Sequence, residues 1–309
     1  FKCFFETRLF TYSSKGRYDY SFEGFITFMK VFDMNVHLTY AEDLFHEKDT
    51  QTERVGKNLL TENSMLIADY QACLEGYSAL FQENISAANF MFFNPSLFYE
   101  ASFEELFKKI GASYQNSVFT ALIDFRGDNQ EAVLERLASV GFRGIKFHPY
   151  SQEITSEDWE QIVKIAERAE KLNLAIFVCT SFGTSKMHKH NGISLACSIS
   201  ERVSNAPIIL LHSGGARLYE AMLLADDKPN IYLDTSFTLN YFNGSKLLEE
   251  FAFIYKKIGF KRVLYGSDFP YMPLEESKSV ALSLFERNGF SSKEIESVFY
   301  NNALEIFFS

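Results

Sequence analysis

Four cysteines stand among 309 residues, and no two of them form a C-x-x-C pair. Cys3, Cys73, Cys179 and Cys197 are too scattered for a zinc knuckle and too few for a disulfide framework. A reducing, cytoplasmic setting is therefore the expectation. Apolar runs of membrane-spanning length are missing as well, which excludes a transmembrane helix and a membrane partner. Basic excess is missing: Lys and Arg number 30 against 40 Asp and Glu, a net charge of −10, and no basic run interrupts this. A nucleic-acid surface is excluded on that ground. The chain has no low-complexity segment and no G-x-G-x-x-G fingerprint, so a dinucleotide-binding sheet is disfavoured. An initiating Met is absent too. The chain opens at Phe1, so the natural N-terminus is expected upstream, and a preceding targeting segment stays open.

What is present is apolar and aromatic. Hydrophobic residues make up 47% of the chain, with 33 Phe and 16 Tyr, enough for one large core. Without basic residues between them, these rings read as packing between helices and sheet rather than as a stacking platform.

Short apolar runs recur at Val31–Leu38, Asn89–Phe93, Val118–Ile123, Gly144–Phe147, Leu174–Cys179, Ile208–Leu211, Ile231–Leu233 and Val263–Tyr265. Amphipathic stretches such as Gln130–Val140, Ser156–Leu172 and Ser245–Ile258 lie between them. Ser156-Glu157-Asp158 suits a helix start, and Gly141, Asn173 and Gly259 stand where helices should stop. Eight strand–helix units predict a parallel sheet with right-handed crossovers. Eight also favours closure, so the expected fold is α/β, a distorted (β/α)8 TIM barrel with an N-terminal extension. Residues 1–30, aromatic around Ser13-Ser14-Lys15-Gly16, read as a hairpin extension, and 31–309 as the barrel. Tyr40–Thr61 reads as a polar insertion, a lid or interface element.

Only six histidines occur, and three end predicted strands: His37, His148 and His212. Period-two alternation puts Asp33, Asn35 and His37 on one face, and Lys146 and His148 on another. Asp268, in Gly266-Ser267-Asp268-Phe269-Pro270, follows the eighth run, and Cys179 ends the fifth. In such barrels the carboxyl ends of the strands carry the chemistry. Imidazole, thiolate and carboxylate together are ligands for zinc or a similar divalent ion. Asp268 has a second reading as a helix cap, which Pro270 and Pro273 disfavour. His188 and His190 lie in the loop after the fifth strand, where contact with an anionic substrate competes with simple solvation. Arg126, in Asp124-Phe125-Arg126-Gly127, is a candidate anion clamp, and its alternative is a surface salt bridge to Asp124 or Asp128. Lys146 is expected to hold substrate or to neutralise buried carboxylates. Asn94 is either a turn former or a pocket donor, and His46 is expected to be exposed.

Several of these stretches resemble the amidohydrolase superfamily, in its amidohydrolase-related branch. Gly141-Phe142-Arg143-Gly144-Ile145-Lys146-Phe147-His148-Pro149 is similar to its fourth-strand motif. Leu211-His212-Ser213-Gly214-Gly215, Tyr232-Leu233-Asp234-Thr235-Ser236 and Gly266-Ser267-Asp268-Phe269-Pro270 are similar to the sixth, seventh and eighth. Asn301-Asn302-Ala303 is similar to its closing helix. The resemblance implies a metal site built from D-x-H-x-H on strand one, a His ending strand five, a His ending strand six and the strand-eight Asp. His37, His212 and Asp268 match. Asn35 stands where the first His belongs and Cys179 where the strand-five His belongs. A thiolate holds zinc well, whereas an amide carbonyl holds it poorly. The ligand set implied is His37, Cys179 and Asp268 with Asn35 beside them, His148 or His212 adding a further nitrogen, and zinc as the expected ion. The alternative is that Asn35 and Cys179 mark a lost metal site, with Asp268 a general base paired with His212 and no metal.

The function expected is hydrolysis of a carbonyl compound (amide, ester or lactone) that is small and anionic. Asp268 would manage the proton of the attacking water, and His212 would polarise the carbonyl. Arg126, Lys146, His148 and His188 would contact substrate. A decarboxylase of the same branch would use the same groups. A barrel without catalysis, kept as a binding or assembly module, is the contrasting reading, and Asn35 and Cys179 favour it. A homodimer is compatible with either.

Overall fold

The computed structural model describes residues 29–38, 64–66, 68–73, 85–113, 117–182 and 184–308. The hairpin expected before residue 29 and the insertion expected at 40–61 lie outside the described residues. Eight strands run β1 (Phe32–His37), β2 (Ala87–Phe92), β3 (Val118–Leu122), β4 (Gly144–Phe147), β5 (Ala175–Cys179), β6 (Ile208–Leu211), β7 (Ile231–Asp234) and β8 (Val263–Leu264). All are parallel and lie in sequence order, so each neighbour is reached by one crossover. This is a (β/α)8 barrel.

The ladder does not run continuously from β8 to β1. Single contacts close that seam: Met34 N donates to Tyr265 O at 2.9 Å, Asp268 N to Asn35 O at 3.0 Å and His37 N to Phe269 O at 2.7 Å. A register shift between Asp33 and Val36 loosens β1 at the same place.

Two apolar layers hold the barrel. Phe32, Met34, Met91, Phe93, Leu122, Phe177, Ile209, Leu211 and Leu264 point inward and fill its lower interior. The alternate residues, such as Ile176, Val178, Ile208, Leu210 and Val263, point outward against the helices. Burying each such side chain stabilises by roughly 1.5–3 kcal/mol, so the alternation fixes which face of every strand is inside. Polar side chains take over towards the carboxyl ends, among them Asn89, Thr120, Lys146 and His148, all buried.

The helices follow the expected pattern with small displacements. Gln130–Val140 ends on Gly141, whose φ of 107° only glycine adopts at no steric cost. Lys246–Ile258 ends on Gly259. The helix expected from Ser156 starts as a 3-10 turn, Ser156–Asp158, and becomes α-helical at Trp159. Asp158 Oδ2 accepts the Thr155 N–H at 2.8 Å, so the cap sits one residue earlier than the serine. The second strand begins at Ala87, not Asn89. Ala87 and Ala88 have low strand propensity, but pairing with Phe32 and Asp33 draws them into the sheet. No helix of the described residues is long and apolar enough to cross a membrane.

Candidate active site

Strand β1 and the turn after β8 form one half of the site. Asp268 sits at φ 66°. Its Oδ1 accepts from Asn35 Nδ2 at 2.8 Å and lies 3.3 Å from His37 Nε2. Burial works to raise the Asp268 carboxyl. The charge of His212, the hydrogen bond and charge of His37, and the charge of Lys146 outweigh it and hold the group at about 2. The side chain of Asp268 caps nothing: the next helix starts at Leu274. Beneath it, Asp33 accepts from Ser267 N at 2.9 Å, from Ser267 Oγ at 2.5 Å and from Asn35 N at 3.2 Å. Asp33 thus pins both arms of the seam. Burial pushes its carboxyl up to about 7 against those hydrogen bonds. Gly266 is required here, because a Cβ would lie 2.8 Å from Asp234 Oδ2 and 3.3 Å from Asn35 Cβ.

The other half is built on β6 and β7. His212, at φ 69°, donates its backbone N–H to Asp234 Oδ1 at 2.5 Å. The same oxygen accepts from Ser236 Oγ at 2.9 Å. His212 Nδ1 lies 3.2 Å from both the carbonyl oxygen and Oγ of Ser236. A carbonyl only accepts, so Nδ1 carries a proton. Cys179 lies against both His148 and His212 and has Ser181 Oγ at 3.0 Å. Burial raises the thiol, but the two imidazoles carry it well below its usual value. Burial lowers His212, yet Cys179 and Asp268 raise it to about 9. His148 is pushed down, by burial first and by Lys146 and His37 as well, against the pull of Cys179. Burial raises Asp234 to about 6 although His212 opposes it.

Between the halves lies a hollow of about 50 Å³ lined by His37, Lys146, His148, Tyr150, Ser181, Met187, His212, Phe237, Asp268 and Tyr271. That volume suits about one to three waters. Each pocket imidazole meets an aromatic edge: His37 with Tyr271 at 5.1 Å, His148 with Tyr150 at 4.4 Å and His212 with Phe237 at 6.3 Å. The Lys146 ammonium lies 4.6 Å from the centre of the Phe93 ring, a stabilising cation–π contact. Two larger hollows, about 620 and 570 Å³, open at the opposite ends of the strands. They bring no histidine or cysteine together, so the small hollow is the chemical one.

The structure thus gathers His37, Lys146, His148, His212 and Asp268 around one space. Cys179 lies just behind it and Asn35 beneath it, both buried. Two expected substrate contacts are not there. Arg126 is exposed and donates to Gln152 O at 2.8 Å and Asp158 Oδ2 at 2.8 Å, so it pins the loop after β4 instead of clamping an anion. His188 is exposed against Phe182, ring centres 4.2 Å apart, and its neighbour Met187 faces the pocket. His190 Nδ1 meets Ile154 O at 2.8 Å. Asn94 is a turn former: it accepts from Ser96 N and donates to Met65 O.

The structure gathers the expected metal set only in part: His37 and Asp268 meet, while Cys179 stands against two imidazoles. Among the described residues, no three His, Cys, Asp or Glu side chains converge as ion ligands. Asn35 turns its NH2 group, not a lone pair, to Asp268, and Cys179 is directed to two imidazoles. The residues present do not fit the zinc site that His37, Cys179 and Asp268 were expected to form. Sequence reasoning gave no role to Asp33, Asp234 and Ser236, although they orient Asp268 and His212. Their signal was available, since Asp234 and Ser236 sit in the seventh-strand motif and Asp33 opens the first-strand stretch Asp33-Met34-Asn35-Val36-His37. Tyr150 and Tyr271, each just past a His-Pro or Phe-Pro step, were likewise missed as walls.

A family model described as amidohydrolase matches residues 115–308, well over half of the chain. No curated protein matches. Among solved structures, a probable 2-pyrone-4,6-dicarboxylic acid hydrolase from Acinetobacter baumannii, with citric acid bound, aligns with a TM-score of 0.59 at 15% identity, covering 90% of this chain and 99% of that one. A 5-carboxyvanillate decarboxylase from Sphingomonas paucimobilis aligns with a TM-score of 0.59 at 12% identity, with the same coverage. A dihydroxybenzoic acid decarboxylase from Polaromonas, with bound manganese, gives 0.54 at 13%, covering 90% and 97%. At these identities the likeness is one of fold.

Proposed function

The chain belongs to the amidohydrolase family, and from that premise we propose that it hydrolyses the carbonyl group of a small anionic ester, lactone or amide. The observation that carries this reading is that the Asp268 carboxylate and the His212 imidazole line one small hollow, where the charge of each favours the charged form of the other. Lys146, buried on the pocket floor, binds the anionic group of the substrate. Water sits against Asp268. As it attacks, Asp268 takes its proton while His212 gives one to the carbonyl oxygen. A carboxylate held at about 2 is a weak base in the resting site. Loss of the imidazolium charge in the same step removes the largest attraction that keeps it weak. The tetrahedral species then collapses: Asp268 protonates the leaving oxygen or nitrogen, and His212 recovers its proton. His148, kept neutral, contacts the substrate beside Lys146. No step passes through zinc, because the donors do not fit it.

A decarboxylase reading is favoured by the folds of the two decarboxylases above and by the same proton donor, His212, beside a cation. The two separate in one assay. Purified protein is offered lactones, esters and aromatic acids that each carry a carboxylate, and acid release and CO2 release are followed together. Acid release without CO2, lost in D268N, supports hydrolysis. CO2 release supports the second reading. Turnover that D268N leaves unchanged overturns both.

A further inference from the structure

Asn35 is completely buried, and both hydrogens of its amide are engaged. Nδ2 donates to Asp268 Oδ1 at 2.8 Å and to Ser236 Oγ at 3.1 Å. Ser236 Oγ gives its own hydrogen to Asp234 Oδ1 at 2.9 Å, so it can only accept from Asn35. Turning the amide round would set Oδ1 against a carboxylate oxygen and against a hydroxyl that has no hydrogen left. The direction of the amide is therefore fixed by its neighbours. An amide nitrogen in this state has no lone pair for a metal. Its Oδ1 finds no hydrogen-bond partner among the described residues, but no set of three ligands converges there either.

We propose that the Asn35 carboxamide stands where a divalent cation would otherwise bridge the pocket, joining Asp268 to Ser236 and excluding the ion. The two N–H dipoles share what an ion would do: one gives the buried Asp268 carboxylate a fixed positive partner, and the other ties it to the half of the site that carries His212. The chemistry makes a specific demand. An isosteric change from amide to carboxylate removes both donors and sets a second acid beside Asp268 and His37, a three-ligand set for zinc or manganese.

The test reads metal and needs no substrate, so it is decided independently of the reaction proposed above. Native protein and the N35D and D268N variants are stripped with chelator and titrated with Zn2+ and with Mn2+ by calorimetry, with thermal melting alongside. Native protein is expected to take up no stoichiometric ion, and N35D about one equivalent, with its melting temperature raised by the ion. Native binding of one equivalent that D268N abolishes overturns the proposal. A folded N35D that binds no ion also overturns it. If N35D folds only in the presence of ion, that requirement is itself the expected gain. If it does not fold at all, the native and D268N titrations decide alone.

Discussion

Asp234 does not line the pocket, yet its Oδ1 accepts the backbone N–H of His212 at 2.5 Å. The acid sets the position of the imidazole through the main chain, and Ser236, bonded to the same oxygen, sets the ring through Nδ1. Truncation in D234A leaves buried donors of His212 and Ser236 without acceptors. Each such group costs about 1–3 kcal/mol. D234A is expected to lose about 3 kcal/mol in urea denaturation, and D234N, whose amide oxygen still accepts, clearly less.

Two of the buried acids make stability depend on pH in a direction opposite to the common one. Asp33 and Asp234 titrate near 7 and 6 in the folded chain, against an ordinary 3.8. Between about 4 and 7 the folded state therefore holds protons that the unfolded state has released, so these two acids favour folding below 4 and lose that contribution as pH rises through 6 and 7. Asp268, held near 2, contributes above 3.8 and loses its contribution as pH falls through 2. Denaturation midpoints measured from pH 4 to 8 should fall less steeply in D33N than in native protein. An unchanged slope would show that Asp33 is not the source.

Cys179 is the shared partner of His148 and His212. In C179A the attraction that ranks first in raising His212 disappears, and its pKa should move down from about 9 towards the ordinary imidazole range. Proton NMR titration of the His212 ring reads this directly. A ring that still titrates near 9 would mean that Asp268 alone supports the imidazolium.

D268N removes the base of the proposed reaction while keeping the size of the side chain. A general base contributes about 10²- to 10⁴-fold, so kcat should fall by about that factor on any substrate the protein turns over. KM should change little if Lys146 carries the binding of the anion.

Gly192, the first residue of the helix Gly192–Ser200, tests how closely that helix must approach β5. A Cβ there would lie 2.2 Å from the Cys179 carbonyl oxygen. Backbone cannot yield as a side-chain tip can, so G192A should cost about 1–3 kcal/mol in denaturation.

Most strands were legible because each is a short apolar run followed by a polar residue, and period two assigned its faces except on β1, where the register shift between Asp33 and Val36 brings both Met34 and His37 inside. Gln130–Val140 was legible to the residue because Gly141 takes a conformation few other residues accept. What pattern could not supply was the partner of each polar group. Arg126 at a strand end looks the same in sequence whether it meets substrate or Asp158, 32 positions away. On the short helix Ser185–Lys189, rotation by a single residue exchanges Met187 for His188 at the pocket. The departure at Asn35 was visible, but its meaning rests on which end of an amide faces Asp268. That is decided by Ser236 and Asp234, two strands away in space.

The seam between β8 and β1 ties catalysis to architecture. In the other seven junctions a parallel ladder holds neighbouring strands, interrupted only by the register shift between β1 and β2. Here the closing bonds come from Asn35, His37, Asp268 and the residues beside them. The hoop is buckled by its own working parts. Its pocket cannot be retuned at those positions without loosening the ring, so amide exchange at the backbone of Asp268 and His37 should report both local opening and fitness for chemistry in a single signal.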